Sequence, residues 1–314
     1  MDLVASPFEL GTRGHTPLDV LAFAAKEQCA GHPITLAIVT AIEGSSARPV
    51  GALMAVSADE HCGYVSNGCI DASVAAHARE TFSLGQMRRV RYGEGSPFID
   101  IKLPCGGAID IALIPHPDAC FIEAAYHQLS ARQPAALFLS PEGLTEGPAE
   151  TAQRFDYVPA LHLTIAGRGA ETLALAQLAR AAGYSVMVAS PDADILERCA
   201  TLGATVQALR FPGDKADFSG DPWSAFICLF HDHEWEPPLL REALLHDFFF
   251  VGAMGSRRTH QTRLAALTEL GVHPSARARV RGPVGLIPAT RDATTLAVSA
   301  LAEIVDAYPG TDAL

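Results

Sequence analysis

Leu161-His162-Leu163-Thr164-Ile165-Ala166-Gly167-Arg168-Gly169-Ala170-Glu171-Thr172 is the stretch that decides the fold. An apolar run ends in a glycine turn, helix-forming residues continue from Ala170 to Ala182, and a second apolar run follows from Ser185 to Ala189. Strand, glycine turn, helix and strand make a βαβ unit, whose crossover demands a parallel pair. Downstream the rhythm repeats. A helix is expected over 192–202, a short strand over 205–208, strands over 225–230 and 248–251, and helices over 237–246 and 256–270. A last helix from Ala293 to Tyr308, with Asp292 as its N-cap, places Leu296, Ala297, Ala300, Leu301, Ile304 and Val305 on one face. The economical architecture is a Rossmann-like, doubly wound parallel sheet.

Upstream the rhythm differs. Short apolar runs at 35–42, 53–56, 63–65, 90–92, 109–114 and 135–139 read as strands, and 71–84 and 118–131 read as helices with acidic starts. This half is expected to be a mixed α/β domain whose strand order the sequence does not give. Apolar periodicity fades around Ser140 to Phe155. We therefore expect an N-terminal domain over 1–145, a linker over 146–158 and the Rossmann-like domain over 159–314.

Composition narrows the function. The chain has 314 residues, of which 49% are hydrophobic and 18% charged, so it can bury a substantial core and disorder is excluded. The net charge of −12 argues against a protein that tracks nucleic-acid phosphates. Residues 1–14 lack a basic stretch feeding an apolar one, and the apolar run 248–254 is far shorter than the roughly 20 residues that span a bilayer. A cytoplasmic protein with no membrane role is expected. Seven cysteines without a C-x-x-C pair suggest reduced thiols. Five read as core residues, whereas Cys69 and Cys105 stand in glycine-rich turns.

Four segments could carry chemistry. The turn Gly167-Arg168-Gly169 opens a helix, a setting that receives phosphate, although Thr172 stands in place of the third glycine and Ser190 in place of the acidic residue that holds a ribose. Gly252-Ala253-Met254-Gly255-Ser256-Arg257-Arg258 is a second strand-to-helix turn with two bidentate cations. From Arg257 to Arg281 the local net charge is +5 within an acidic protein, which favours an anionic ligand. In the first half, Glu43-Gly44-Ser45-Ser46-Ala47-Arg48-Pro49-Val50-Gly51 follows a strand as a polar loop. Gly68-Cys69 leads into a helix whose N-terminus favours thiolate, and Cys105-Gly106-Gly107 forms another tight turn. The two cysteine turns and the Arg48 loop suggest a soft-ligand or sulfur-handling site. His231-Asp232-His233-Glu234 reads better as a hydrogen-bonded turn than as a metal centre, and no G-x-S-x-G elbow is present.

In order along the chain, Glu43 to Met54, Gly63 to Asp71, Cys105-Gly106-Gly107, Gly167-Arg168-Gly169, His231-Asp232, Val251 to Arg258 and Pro283-Val284-Gly285-Leu286 resemble the XdhC/CoxI family, accessory proteins of xanthine dehydrogenase. Ala170, Ser190, Ser66-Asn67 and Asp71 depart from that family's usual residues. The resemblance implies a non-catalytic chaperone that holds molybdenum cofactor (molybdopterin or its dinucleotide form) while a cysteine desulfurase supplies its sulfido ligand. The cargo then passes to an apo molybdenum hydroxylase. It implies cofactor binding by Ser45, Arg48, Gly68, Cys69, Cys105, Gly106, Gly107, Gly167, Gly169, His231, Asp232, Gly255, Ser256, Arg257 and Arg258, with Cys69 or Cys105 facing molybdenum, in a homodimer. The alternatives are an NAD(P)-dependent oxidoreductase built on Gly167 and Gly169, and a maturation scaffold that binds no cofactor.

Overall fold

The computed structural model describes residues 16–66, 68–96, 106–214, 218–232 and 234–310. The chain divides into two compact units, one running to Pro159 and the other beginning at Ala160.

The first unit opens with α1 (Pro17–Cys29), a helix that the apolar-run reading passed over although its start is well marked. Thr16 accepts from the Asp19 amide and Asp19 accepts from the Thr16 amide, a capping box, and Pro17 fits the first helical position. The chain continues through β1 (Thr35–Glu43), β2 (Leu53–Val56), β3 (His61–Gly63), α2 (Asp71–Leu84), β4 (Arg88–Gly93), β5 (Ala108–Pro115) and α3 (Ala119–Ser130). Five antiparallel strands lie in the order β3-β2-β1-β5-β4.

Alternation along β1 covers both faces of this sheet. Leu36 and Ile38 pack with Leu21 of α1 and Ile122 of α3, whereas Ala37 and Val39 pack with Val74 and Ala78 of α2. Helices on both faces explain why β1 is buried from Thr35 to Thr40. The expected strand at 63–65 is displaced to 61–63. Gly63 stands at φ +96°, and a Cβ there would lie 2.3 Å from the Leu53 carbonyl oxygen, so the chain turns away at that residue.

The linker expected over 146–158 needs correction. After β6 (Ala135–Leu139) and β7 (Leu144–Thr145), residues Gln153–Tyr157 form β8, antiparallel to β6. Its alternation sends Phe155 and Tyr157 into the first unit's core and leaves Arg154 and Asp156 exposed. The division at Pro159 therefore follows the strand that the sequence reading placed in the linker.

The second unit contains β9 (His162–Gly167), α4 (Gly169–Ala181), β10 (Ser185–Ser190), α5 (Ala193–Thr201), β11 (Thr205–Ala208), β12 (Ser224–Leu229), α6 (Glu236–Ala243), β13 (Phe250–Ala253), α7 (Arg257–Glu269), α8 (Pro274–Arg277), β14 (Val280–Arg281) and α9 (Ala293–Asp306). All strands are parallel, in the order β11-β10-β9-β12-β13-β14, which is the doubly wound Rossmann arrangement. Leu163, Ile165, Ile227 and Leu229 face α4, α5 and α9, while Phe226 and Cys228 face Leu240 of α6 and Leu267 of α7. Each fully buried Leu, Ile or Phe contributes about 1.5–3 kcal/mol of transfer free energy. The connection reverses direction between β9 and β12, so the crevice beyond their carboxyl ends is the expected ligand site. Among the described residues, no helix is long and apolar enough to cross a membrane.

Five cysteines were expected in the core, but only Cys199 and Cys228 are buried. Cys29 at the end of α1 and Cys120 in the first turn of α3 are exposed, and Cys62 on edge strand β3 is half-buried. Helix ends and sheet edges leave these small side chains uncovered.

Candidate functional site

One end of the five-stranded sheet gathers the candidates of the first unit. Register pairs Glu43 with Ala108, Ile38 with Leu53 and Met54 with Gly63, so β1 and β3 end where β2 and β5 begin. The loop carrying Ser45 and Arg48, the turn carrying Gly68 and Cys69, and the pair Gly106-Gly107 all emerge there.

Close backbone packing joins the first and third of these segments. A Cβ on Gly107 would lie 2.5 Å from the Glu43 carbonyl oxygen and 2.8 Å from that of Ser45, a distance only glycine permits. Glu43 is held in turn by Arg91 of β4, which also bonds Asp110 at 2.8 Å and the Glu94 carbonyl at 2.9 Å. The far end of the loop is fixed by the Gly51 amide donating to Val39 and by the Tyr157 hydroxyl donating to the Gly51 carbonyl at 3.1 Å. Ser45 is exposed and Arg48 half-buried between these anchors. The Nε of Arg48 is buried and has no hydrogen-bond partner among the described residues.

Asp71, only 4% exposed, organises the cysteine turn. Its carboxylate accepts the amides of Val65 at 2.8 Å, Ser66 at 3.1 Å and Gly68, while the Ser66 hydroxyl accepts from Ile70. Gly68 stands at φ +110° with open space before it, and Cys69 is an exposed free thiol. Burial and Asp19 push the Cys62 thiol up to about 11. Asp118 raises Cys120, and burial raises Cys199 and Cys228. These four thiols are poor sources of thiolate at neutral pH. Gly106, at φ +69°, also faces open space, and Cys105 lies outside the described residues.

The second unit brings Gly167 and Gly169, His231 and Asp232, and Gly255, Ser256, Arg257 and Arg258 to the carboxyl edge of its sheet, after β9, β12 and β13. Interactions that the sequence did not reveal already occupy much of this edge. A Cβ on Gly167 would meet the Thr172 hydroxyl at 2.4 Å, and that hydroxyl donates to the Arg168 carbonyl. The Glu171 carboxylate lies beside Gly169 and 3.6 Å from His231 Nε2, so a pyrophosphate at this helix start would meet like charge. The Arg168 guanidinium lies over Trp235 and 3.3 Å from Asp192. The tip of β10 therefore offers a paired carboxylate in place of a free ribose-binding one. Asp232 accepts from the Glu234 amide, as in a hydrogen-bonded turn, and His233 lies outside the described residues.

The +5 segment also needs dissection. Arg263 is completely buried and bonds Glu236 at 2.9 and 3.2 Å and the Met254 carbonyl at 2.6 Å. Arg279 caps the carbonyls of Leu244, His246 and Phe248, and Arg281 stacks on Phe250. Arg257 and Arg258 remain exposed, while the Ser256 hydroxyl serves as the cap of α7, accepting from Thr259 at 3.1 Å. His260 packs against Gly282 and beside Arg263, and burial and that guanidinium hold its imidazole below the ordinary range. Among the described residues, no group of three His, Cys, Asp or Glu side chains could hold a metal ion.

Residues 163–304 match the family model of the XdhC Rossmann domain, and residues 28–93 match that of the XdhC and CoxI family. The chain is 37% identical over 295 residues to the molybdenum cofactor insertion chaperone PaoD of Escherichia coli (strain K12), covering 91% of this chain and 86% of the relative. A solved structure described as a xanthine dehydrogenase from Bacillus halodurans shares the fold, with a TM-score of 0.74 and 20% identity over 95% of this chain and 100% of that one.

Proposed function

The chain belongs to the XdhC and CoxI family, and on that premise we propose that it is a molybdenum cofactor chaperone, binding the cofactor as cargo and passing it to a molybdenum enzyme. The observation that carries the reading is the likeness to a cofactor insertion chaperone over nine-tenths of the chain.

The residues fit such a cargo. A phosphorylated pterin dithiolene holding molybdenum needs donors for its phosphate, a way in for a flat ring, and a soft group or open space near the metal. In the first unit, Arg48 supplies a cation, Gly68 and Gly106 present side-chain-free backbone to open space, and Cys69 supplies an exposed thiol. Cys105 would be a second soft group. In the second unit, Gly167, Gly169, His231, Asp232, Gly255, Ser256, Arg257 and Arg258 line one sheet edge as a separate candidate surface. Either the mononucleotide or the dinucleotide form could be carried. Carriage needs no turnover. The bound cofactor would be shielded while a cysteine desulfurase delivers sulfur, then transferred to a hydroxylase of the xanthine dehydrogenase type, with a homodimer as the working state.

Anaerobic mixing with molybdenum cofactor should give a stoichiometric complex, followed by metal and pterin analysis after gel filtration. It should weaken in Cys69→Ala and Cys105→Ala chains. Absence of complex with every form of the protein would overturn the proposal.

A further inference from the structure

Four arginines stand at candidate anion sites, and they differ in what already neutralises them. Arg168 has the Asp192 carboxylate at 3.3 Å and the Trp235 ring face at 5.4 Å, although its Nε makes no aligned hydrogen bond. Arg257 and Arg258 are exposed, so water solvates them and a surface ion pair gains little. Arg48 is half-buried and, like Arg168, has an Nε sealed from water without an acceptor, but among the described residues no carboxylate forms an ion pair with it.

A guanidinium that has lost part of its hydration and gained no acceptor is held in an unfavourable state that an anion would relieve. The surroundings favour a compact, multiply charged acceptor. The loop is pinned at Glu43 by Arg91 and at Gly51 by Tyr157, so the cation is presented from a fixed base. Gly106 and Gly68, at positive φ and with nothing among the described residues within 4 Å of where a Cβ would stand, open the same end of the sheet. The fork of Arg48 matches two oxygens of a phosphate, which lysine could not do.

We infer that Arg48 is the principal phosphate anchor of this protein, so that a phosphate or pyrophosphate group binds at the Glu43–Gly51 loop of the first unit in preference to either glycine turn of the Rossmann sheet. This rests on the cofactor-carrier reading and adds to it the place of the cargo's phosphate. The Arg48 side chain must rotate to bring its donors out, and its flexible methylene stem allows that.

Inorganic pyrophosphate titrated calorimetrically into the full-length chain at fixed ionic strength tests the assignment. Arg48→Met should weaken binding about tenfold or more. Arg48→Lys, which keeps the charge and loses the fork, should fall between, and an Arg257→Ala, Arg258→Ala double variant should change it less than about twofold. Unfolding curves check that each variant is folded, and Arg48→Lys preserves the test if Arg48→Met does not fold. The inference is overturned if the wild-type chain does not bind pyrophosphate, if Arg48→Met binds like wild type, or if the double variant alone loses binding. Molybdenum cofactor capture separates this from the carrier reading. Capture that survives Arg48→Met together with unchanged pyrophosphate affinity sinks the anchor alone, whereas Arg48-dependent pyrophosphate binding without any cofactor capture sinks the carrier reading alone.

Discussion

The two ends where candidate residues gather are built on opposite electrostatic plans. At the carboxyl edge of the Rossmann sheet, Arg263 is buried with Glu236 and Arg168 is paired with Asp192, while Arg279 is spent on carbonyls at the opposite edge, before β13. At the end of the five-stranded sheet, Arg48 is half-buried and has no ion-pair partner among the described residues. A run of arginines can therefore be mostly scaffold, while a single arginine in a loop whose one carboxylate, Glu43, is held by Arg91 remains available. Charge counted along a sequence does not measure charge available to a ligand.

That contrast is open to four tests. The largest effect should come from Arg263→Met, which strands the buried Glu236 carboxylate. Urea unfolding should show a loss of about 3–5 kcal/mol, and adding Glu236→Leu should recover much of it. If Arg263→Met alone costs nothing, the scaffold role assigned to that arginine is wrong. Gly167→Ala comes next, because its methyl group would press on Thr172 and Leu229. A loss of about 1–3 kcal/mol is expected, and a neutral result would show that the turn has room for a ligand.

The third test is pH. The folded state holds His260 below its ordinary value of 6.5, so the unfolded chain binds more protons just below that pH. Its contribution to stability is intact above about pH 6.5 and is lost progressively as the pH falls toward the folded value. Denaturation midpoints followed between pH 7 and 5 should therefore decline, and His260→Gln should flatten the decline. The smallest effect belongs to Arg48→Met, which removes no side-chain ion pair or hydrogen bond among the described residues and should move stability by less than about 0.5 kcal/mol while altering ligand binding. A large destabilisation would mean that Arg48 is structural after all.

Legibility in the sequence followed the same divide. Helices and parallel strands of the Rossmann unit announce themselves because each is a long apolar pattern with a glycine or cap at its end. The 205–208 strand falls where it was expected, and 185–189 extends by only one residue. In the first unit, β8 escaped because its signal is just Phe155 and Tyr157 alternating with polar residues behind a Pro, Gly and Glu stretch. Its pairing with β6 depends on contacts remote in sequence. Helix α1 carried a readable capping box at Thr16 and Asp19. Among the site residues, glycine turns and cysteines were visible as residue types. The partners that decide their use, Glu171 beside His231 or Glu236 under Arg263, come from other turns and elements, so no local pattern displays them.

The most direct test of the account is the molybdenum and pterin content of anaerobically prepared wild-type chain beside Arg48→Met and the Arg257→Ala, Arg258→Ala double variant, each mixed with molybdenum cofactor and freed of excess. The account predicts stoichiometric metal and pterin on the wild-type chain, near-complete retention by the double variant and a marked loss in Arg48→Met. A wild-type chain that retains neither, or an Arg48→Met chain as fully loaded as wild type, would contradict it.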